Sequence, residues 1–450
     1  MAKEEIGRTG LRYYSGRIAE EFLPELKGQR GMKLYREMSE NDDVVGAILY
    51  AIEMLIRQAT WHVQPGGSSQ KDEEAAEFVE SCMNDMQTTW TDTLSEMLSF
   101  LIYGWSAHEI VYKRRMGMND DPRLSSKYDD GLIGWRKLPI RSQDSLYQWE
   151  FDEEDNLVAM TQMPAPSYRM ITIPMSKLLL FRTRSRKDSP EGQSILRNAY
   201  RAYHFKKRIQ EIEGIGIERD LAGFPVLTAP EGVDIWDTND PAMVACKAAA
   251  DELVKNIRRD AMEGLTLPRG WELSLLSTGS RRQFDTNQII ERYDARIAMT
   301  VLADFVLLGH QQVGSFALSS DKTKMFSVAI CSFLDVIAEV FNNKAIPKLI
   351  QANAGSFAGV TQMPQLEHGD VETQDIEKLG RYVSELTGAG VLLPDENLER
   401  YLREQAGIPE RVEEYPMPSE PHTHSEEQMQ DAMDAASKGA VRTAKSRLGR

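Results

Sequence analysis

Metal chemistry is the first possibility that the residue types raise. His422 and His424 are separated by one residue, a spacing at which two imidazoles can share an ion. They sit in a Pro- and Glu-rich tail with no nearby cysteine. Zinc sites use three or four protein ligands, so the pair reads as solvated tail. His108-Glu109 opens like a zinc-protease helix, but Ile110 and Val111 follow and the second histidine of HExxH is missing. Gly214-x-Gly216 could cradle a pyrophosphate only directly after a strand. It falls late in a helical pattern and has no third glycine in register. No GxxxxGK[ST] and no GxSxG occurs, so neither a phosphate-binding loop nor a nucleophile elbow is present. The residues predict no enzyme, no cofactor and no bound metal.

The bulk properties point the same way. A chain of 450 residues implies two to four structural units, at roughly 100–200 residues each. Apolar residues make up 41% and charged residues 27%, enough to form sizeable cores. Lys and Arg number 53 against 69 Asp and Glu, a net charge of −16. Such a chain is a poor candidate for wrapping nucleic acid tightly, because phosphate binding rests on Lys and Arg releasing counterions. An acidic wall can still let DNA slide without sticking. Cys82, Cys246 and Cys331 are odd in number and far apart, which argues for a reducing compartment rather than a disulfide framework. The start MAKEEIGRTG lacks a signal peptide's apolar centre, and no apolar run is read as approaching the roughly 20 residues of a membrane span. The expectation is a soluble, cytoplasmic product with no membrane role.

One charge run stands out. From Arg182 to Arg208 there are nine Lys and Arg (Arg182, Arg184, Arg186, Lys187, Arg197, Arg201, Lys206, Lys207, Arg208) against Asp188 and Glu191, a local excess of +7. It reads as a belt facing DNA or an acidic partner, or as a solvated helix face. The opposite bias appears in residues 365–420, where 14 Asp and Glu meet 5 Lys and Arg.

Residues 1–40 are Gly-punctuated and read as an arm. Asp42 precedes a helix with Val45, Ile48, Leu49, Ile52, Leu55 and Ile56 at helical spacing. A short strand at Trp61–Val63 stops at Pro65-Gly66-Gly67. Helices are predicted around 71–88 and 91–103, the second ending at Gly104. Strands dominate 106–182, so this part reads as α+β. Ser189-Pro190-Glu191-Gly192 is a turn and cap signal for a long helix reaching about Ile217. A helix is predicted over 240–262. Leu265–Leu267 and Trp271–Leu276 read as paired strands split by Pro268-Arg269-Gly270. A second long helix starts near Phe284 and carries Ile289, Tyr293, Ile297 and Val301 as a stripe. After a loop at Gly309–Leu318, a third runs from Ser319 or Ser320 to about Ile350, apolar on more than one face. A helical hairpin follows, with Ile376, Leu379, Val383 and Leu386 on one face and Asp395 capping the next helix. No internal repeat is evident.

Three stretches together resemble the portal family of tailed bacteriophages, most of all its Mu-like branch. Residues 173–227 are similar to the family's strand, Pro-x-Gly-x-Ser turn and Lys-bearing stem helix, closing on a Glu-Arg…Gly-x-Pro element. Here Asp220-Leu221-Ala222 is inserted in that element. Residues 284–309 are similar to the second stem helix with its Tyr-Asp pair, Tyr293-Asp294. Residues 314–355 are similar to the Gly-Ser-x-Ala loop, the long helix and the Asn-x-x-x-Ile-Pro-x-Leu-x-x-x-Asn close.

The resemblance implies a mainly α, α+β fold with wing, stem, clip and crown. The arm at 1–40 leads into a wing at 41–190, completed by 319–355. Stem helices fall at 191–222 and 284–308, a clip at 223–283 and a tunnel loop at 309–318. A crown falls at 370–412, and 413–450 form a tail without counterpart. The implied function is a dodecameric ring at one capsid vertex that guides double-stranded DNA in during packaging and out on ejection. Its implied partners are further copies of itself, the large terminase, head-completion or adaptor proteins, and the major capsid or scaffold protein. Its place would be the virion, and the host cytoplasm during assembly. The channel candidates are Gln311, Gln312, Phe316 and Lys322 at the loop and Lys206, Lys207 and Arg208 on the stem. Arg258, Arg259 and Arg269 are candidate partner contacts at the clip. The alternatives are an oligomeric adaptor or scaffold without a DNA channel, and a metal-dependent nuclease.

Overall fold

The computed structural model describes residues 7–222, 224–256, 266–276, 285–301, 316–369, 376–388, 395, 398–399 and 402–403. The side chains of 218–222, 224, 256, 276, 316–324, 376–379 and 382 lie outside that description. Contacts divide the chain into two units, Met1–Glu372 and Thr373–Arg450.

The first unit opens with a hairpin, β1 (Tyr13–Tyr14) and β2 (Arg17–Ile18). Its turn residue Gly16 has φ +71, and a Cβ there would lie 2.1 Å from the Trp149 carbonyl oxygen, so only glycine fits. Helix α1 (Gly28–Asn41) follows and buries Met32, Tyr35 and Met38 at three-residue spacing. Residues expected to form an arm are therefore packed into the body, because this stripe gives α1 an apolar face. Asp42 breaks α1 from α2 (Asp43–Gln58) with an extended backbone and caps α2, accepting the Val44 and Val45 N–H groups at 3.1 and 3.0 Å.

Next come β3 (Trp61–Gln64), α3 (Gln70–Asn84), α4 (Trp90–Met97) and α5 (Ser99–Tyr103). The helix predicted over 91–103 is thus two, separated at Leu98. Gly104 closes α5 with φ +90. Strands β4 (Trp105–Glu109), β5 (Val111–Arg114), β6 (Ile133–Lys137), β7 (Ile140–Arg141), β8 (Leu146–Phe151), β9 (Leu157–Gln162), β10 (Ile171–Pro174) and β11 (Leu178–Arg182) fill the region read as strands. They form small antiparallel sheets: β11-β4-β7, β10-β9-β8 and the pair β5-β6. Trp105, Trp135 and Trp149 are fully buried among them.

Helix α6 (Tyr200–Ala222) starts later than the Ser189–Gly192 signal indicates. That signal instead serves a connecting loop and a short 3-10 turn, Ile195–Arg197, capped by Ser194. Strand β12 (Phe224–Thr228) and helix α7 (Pro241–Asn256) follow. Strand β13 (Glu272–Leu276) pairs with β12, not with Leu265–Leu267 as the sequence suggests. Of that run, Thr266 and Leu267 are described and are not strand. Pro268–Trp271 form a turn, with Gly270 at φ +86 against Pro230. Helix α8 (Thr286–Thr300) is capped by Asp285 and packs along α6.

Helix α9 (Phe316–Val340) continues through a π-helical turn, Phe341–Ala345, into α10 (Ile346–Ala352), which has Pro347 in its first turn. The widened turn lets the chain accept a proline that lacks an N–H donor. Met325–Ala352 is one continuous helical run, long and apolar enough for a membrane span by length and composition alone, contrary to the sequence reading. A third of its most apolar stretch is buried inside the subunit. Phe326, Ile330, Leu334, Ile337 and Phe341 enter the main core with α2 to α5. Strand β14 (Gln365–His368) then pairs with β3.

Contacts account for the close of this run. Asn342 accepts the Leu366 N–H at 2.7 Å and donates to the Leu366 carbonyl at 3.0 Å. Asn353 does the same to Ile133 on β6, at 2.8 and 2.9 Å. Ile346 and Leu349, between them, are fully buried. The two asparagines form a double staple from one helical run to two strands.

In the second unit, α11 (Ile376–Gly388) matches the predicted helix. Asp395 accepts the Leu398 N–H at 2.7 Å, as a cap should.

Candidate functional site

The junction of α6 with α8 and the N-terminal segment gathers most of the predicted basic run. Its local sequence logic is helical. Tyr203 and Lys206 of α6 point inward, while Arg201, Lys207 and Arg208 are exposed. Phe205 stacks on Tyr293 of α8, ring centroids 6.2 Å apart. Thr286 at the start of α8 donates to the Glu213 carboxylate.

Lys206 corrects the sequence reading. It is 1% exposed, and its ammonium lies 3.0 Å from Asp42, 2.8 Å from Asp43 and 2.6 Å from Asp294. A cation with three carboxylates and no solvent cannot also present to a duplex. Burial opposes its charge, but the three hydrogen-bonded carboxylates more than offset that and hold it protonated. Asp43 is held below the usual carboxylate range by its bond to Lys206. Burial pushes Asp294 up, against the pull of Lys206. One ammonium thus ties the cap of α2 to both long helices.

Lys207 is half exposed and bonded to Glu37 of α1, which also accepts the Tyr203 hydroxyl at 2.9 Å. Arg208 is exposed and forms no ion pair among the described residues. Upstream, Lys187 pairs with Glu20 at 3.0 Å, Arg197 with Glu21 at 2.9 Å and Arg182 with Asp188 at 3.3 Å. Most of the +7 run is therefore neutralised inside the subunit. Within the 182–208 run, Arg184, Arg186, Arg201 and Arg208 are exposed and form no ion pair among the described residues.

The other predicted positions divide as follows. Gln311, Gln312, Arg258 and Arg259 lie outside the described residues. Phe316 and Lys322 lie in the first turns of α9. Arg269 is exposed in the Pro268–Trp271 turn. These positions are not brought together into one cluster by any described contact. Glu20, Glu21, Glu37, Asp43 and Asp294 were missed as partners of the basic run. Only the Tyr293-Asp294 pair carried a signal, as part of the stem resemblance.

No group of three or more His, Cys, Asp or Glu among the described residues is placed to hold a metal.

A family model for the portal protein of Mu bacteriophage matches residues 32–408. Solved structures give a looser likeness. A chain of the virion of a native gene transfer agent particle aligns at TM-score 0.45 and 12% identity, covering 84% of this chain and 93% of that one. A chain from the neck of a native gene transfer agent particle, computed with C12 symmetry, aligns at TM-score 0.46 and 12% identity, covering 85% and 94%. An HK97 family phage portal protein from Corynebacterium diphtheriae aligns at TM-score 0.37 and 9% identity, covering 74% and 94%.

Proposed function

From the premise that this chain belongs to the Mu bacteriophage portal protein family, and so is a portal subunit serving DNA packaging and ejection, we propose how its parts divide that work. The family match over residues 32–408 is the observation that carries the reading. Twelve copies close into a ring at one capsid vertex, and the packaged DNA runs along the axis. Heterologous contacts that close by rotation leave such a hole. The ring assembles in the host cytoplasm and remains in the virion. It has no catalytic step of its own: the large terminase supplies ATP hydrolysis, docks on the clip and gives way to head-completion proteins. Capsid or scaffold protein meets the wing.

In this division, α6 and α8 are the stem, β12, α7 and β13 belong to the clip, and α9 with α10 completes the wing. The pairing of β12 with β13 across the excursion between two long helices supports the clip reading. The channel positions are Gln311, Gln312, Phe316, Lys322, Lys207 and Arg208. Lys206 leaves that set and becomes the pin between wing and stem. Arg258, Arg259 and Arg269 remain the partner contacts. Passage of any sequence needs diffuse contacts rather than base readout, which suits glutamines, one aromatic and scattered cations.

Deleting residues 311–317 tests the loop. The expected result is intact rings with impaired DNA packaging or retention. Unchanged virion yield and genome content removes the loop assignment.

A further inference from the structure

The link between the body and α6 is a strained loop closed over a cavity. Lys187 and Asp188 are consecutive non-glycine residues with φ +54 and +53. Such conformations are strained for side chains and persist only where neighbours impose them. The neighbours are visible. Lys187 is held by Glu20, and Arg182 holds both Asp188 and the Ser189 carbonyl, the latter at 2.7 Å. Gly192 crosses Gly104 so closely that a Cβ on either would lie 2.3–2.4 Å from the other's carbonyl oxygen. Glu191, between these points, turns inward and accepts the Trp149 indole N–H at 3.0 Å. Beside it is a cavity of about 320 Å³ between the N-terminal segment and the loop, walled partly by Leu26, Met32 and Trp105.

We propose that the Arg182–Ser194 loop is a proton-controlled hinge at the root of α6, held shut while the Glu191 carboxyl lies neutral and buried beside the Trp149 indole. Such a hinge depends only on the fold of this region, not on the portal reading.

The charged and titratable groups around the cavity come from several elements. The N-terminal segment presents Glu20, Glu21, Lys27 and Tyr35. Helix α5 presents Tyr103. The loop itself presents Arg184, Arg186 and Lys187, and the 3-10 turn after it presents Arg197. Lys344, in the π-helical turn, acts on Arg182 and Asp188 at the loop's start. Bonds from the Arg12 N–H and Lys187 hold Glu20 below the usual range. Burial opposes the charge of Glu21, but Arg197 and the Leu23 N–H overcome it. Burial pushes Tyr35 up, so it stays neutral. Glu191 is the group set to titrate near neutrality. Burial raises it to about 7, partly countered by the bond from Trp149.

A released Glu titrates near the ordinary 4.5. Docking is therefore fully favoured below that value and is lost as pH rises through about 7. Once ionised, the carboxylate has Arg184 and Arg186 at the cavity as new partners. The bistable element is the strained loop, and what it moves is the first turn of α6.

Hydrogen exchange of the full-length protein, corrected for intrinsic rates, reads the hinge directly. Peptides covering 184–194 should lose protection by up to about tenfold per pH unit between about pH 4.5 and 7, and change no further with pH above that. Glu191→Gln keeps an acceptor for the indole but cannot ionise, so its loop should stay protected throughout. Trp149→Phe removes a bond that favours the ionised form, so its midpoint should move to higher pH. Protection that does not change with pH in the wild type overturns the proposal. So does a transition that persists unmoved in Glu191→Gln or, should that variant fail to fold, in Trp149→Phe.

Discussion

Charge at single residues decides more here than composition does. Lys206 looks like any other member of the basic run, yet it is the one that solvent does not reach. Removing one partner of a buried ionic group leaves the others uncompensated and costs about 3–5 kcal/mol. Lys206→Ala should therefore lower unfolding free energy by that order in denaturant titration. A variant as stable as the wild type would mean that Lys206 is not a pin. His108 supplies a second residue-scale expectation. It is fully buried, with Nδ1 2.8 Å from the Leu138 carbonyl oxygen, and burial lowers it from 6.5 to about 4. The unfolded chain then takes up the proton first. The stability His108 contributes is full above about pH 6.5 and is lost as pH falls toward about 4, by up to about 3 kcal/mol. Stability measured across that window should fall less steeply in His108→Gln. An identical slope would contradict the assignment.

Elements are where the sequence is most legible and where its silence is easiest to explain. Periodicity locates α2, α8, α9 and α11, because an apolar stripe every three or four residues has few other uses. The α2 cap at Asp42 and the Gly104 stop are legible for the same reason: each residue type answers a backbone need. What periodicity does not show is pairing. The strand partner of β13 is β12, more than 40 residues upstream, and the local Leu265–Leu267 run competes for it on paper. The acidic partners of the basic run are hidden likewise, since Glu20, Glu21 and Glu37 lie in a Gly-punctuated segment that reads as an arm. The Asn342…Asn353 spacing is legible as a pattern but not as a mechanism. Two predictions test the elements. Asn353→Ala leaves the partly buried backbone of Ile133 without its side-chain partner and should cost about 1 kcal/mol or more, read by thermal or denaturant unfolding. Gly104→Ala forces a side chain into φ +90 and against the Gly192 carbonyl, and should cost at least about 1–3 kcal/mol. Full wild-type stability in either would sink the corresponding contact.

At the scale of the whole molecule, the predicted α+β, mainly α architecture is present. The candidate site is only partly legible in the sequence. Its helices fall where expected, but its charges do not, because sequence counts cations without showing which ones the fold has already matched. Pairing inside the subunit takes up five of the nine cations of the belt, in a chain whose net charge is −16, and the proposed conduit would pass DNA over such a surface without tight adhesion. That is the electrostatic requirement of a conduit, and it differs from that of a DNA-binding protein. Everything proposed for the ring depends on its closing around an axial hole. Cryo-electron microscopy of the protein co-expressed with its capsid and scaffold partners tests this most directly. The predicted result is a cyclic ring of twelve subunits whose open axis admits duplex DNA, with α6 and α8 around it. A closed assembly without an axial passage, or no assembly at all in the presence of those partners, would contradict it.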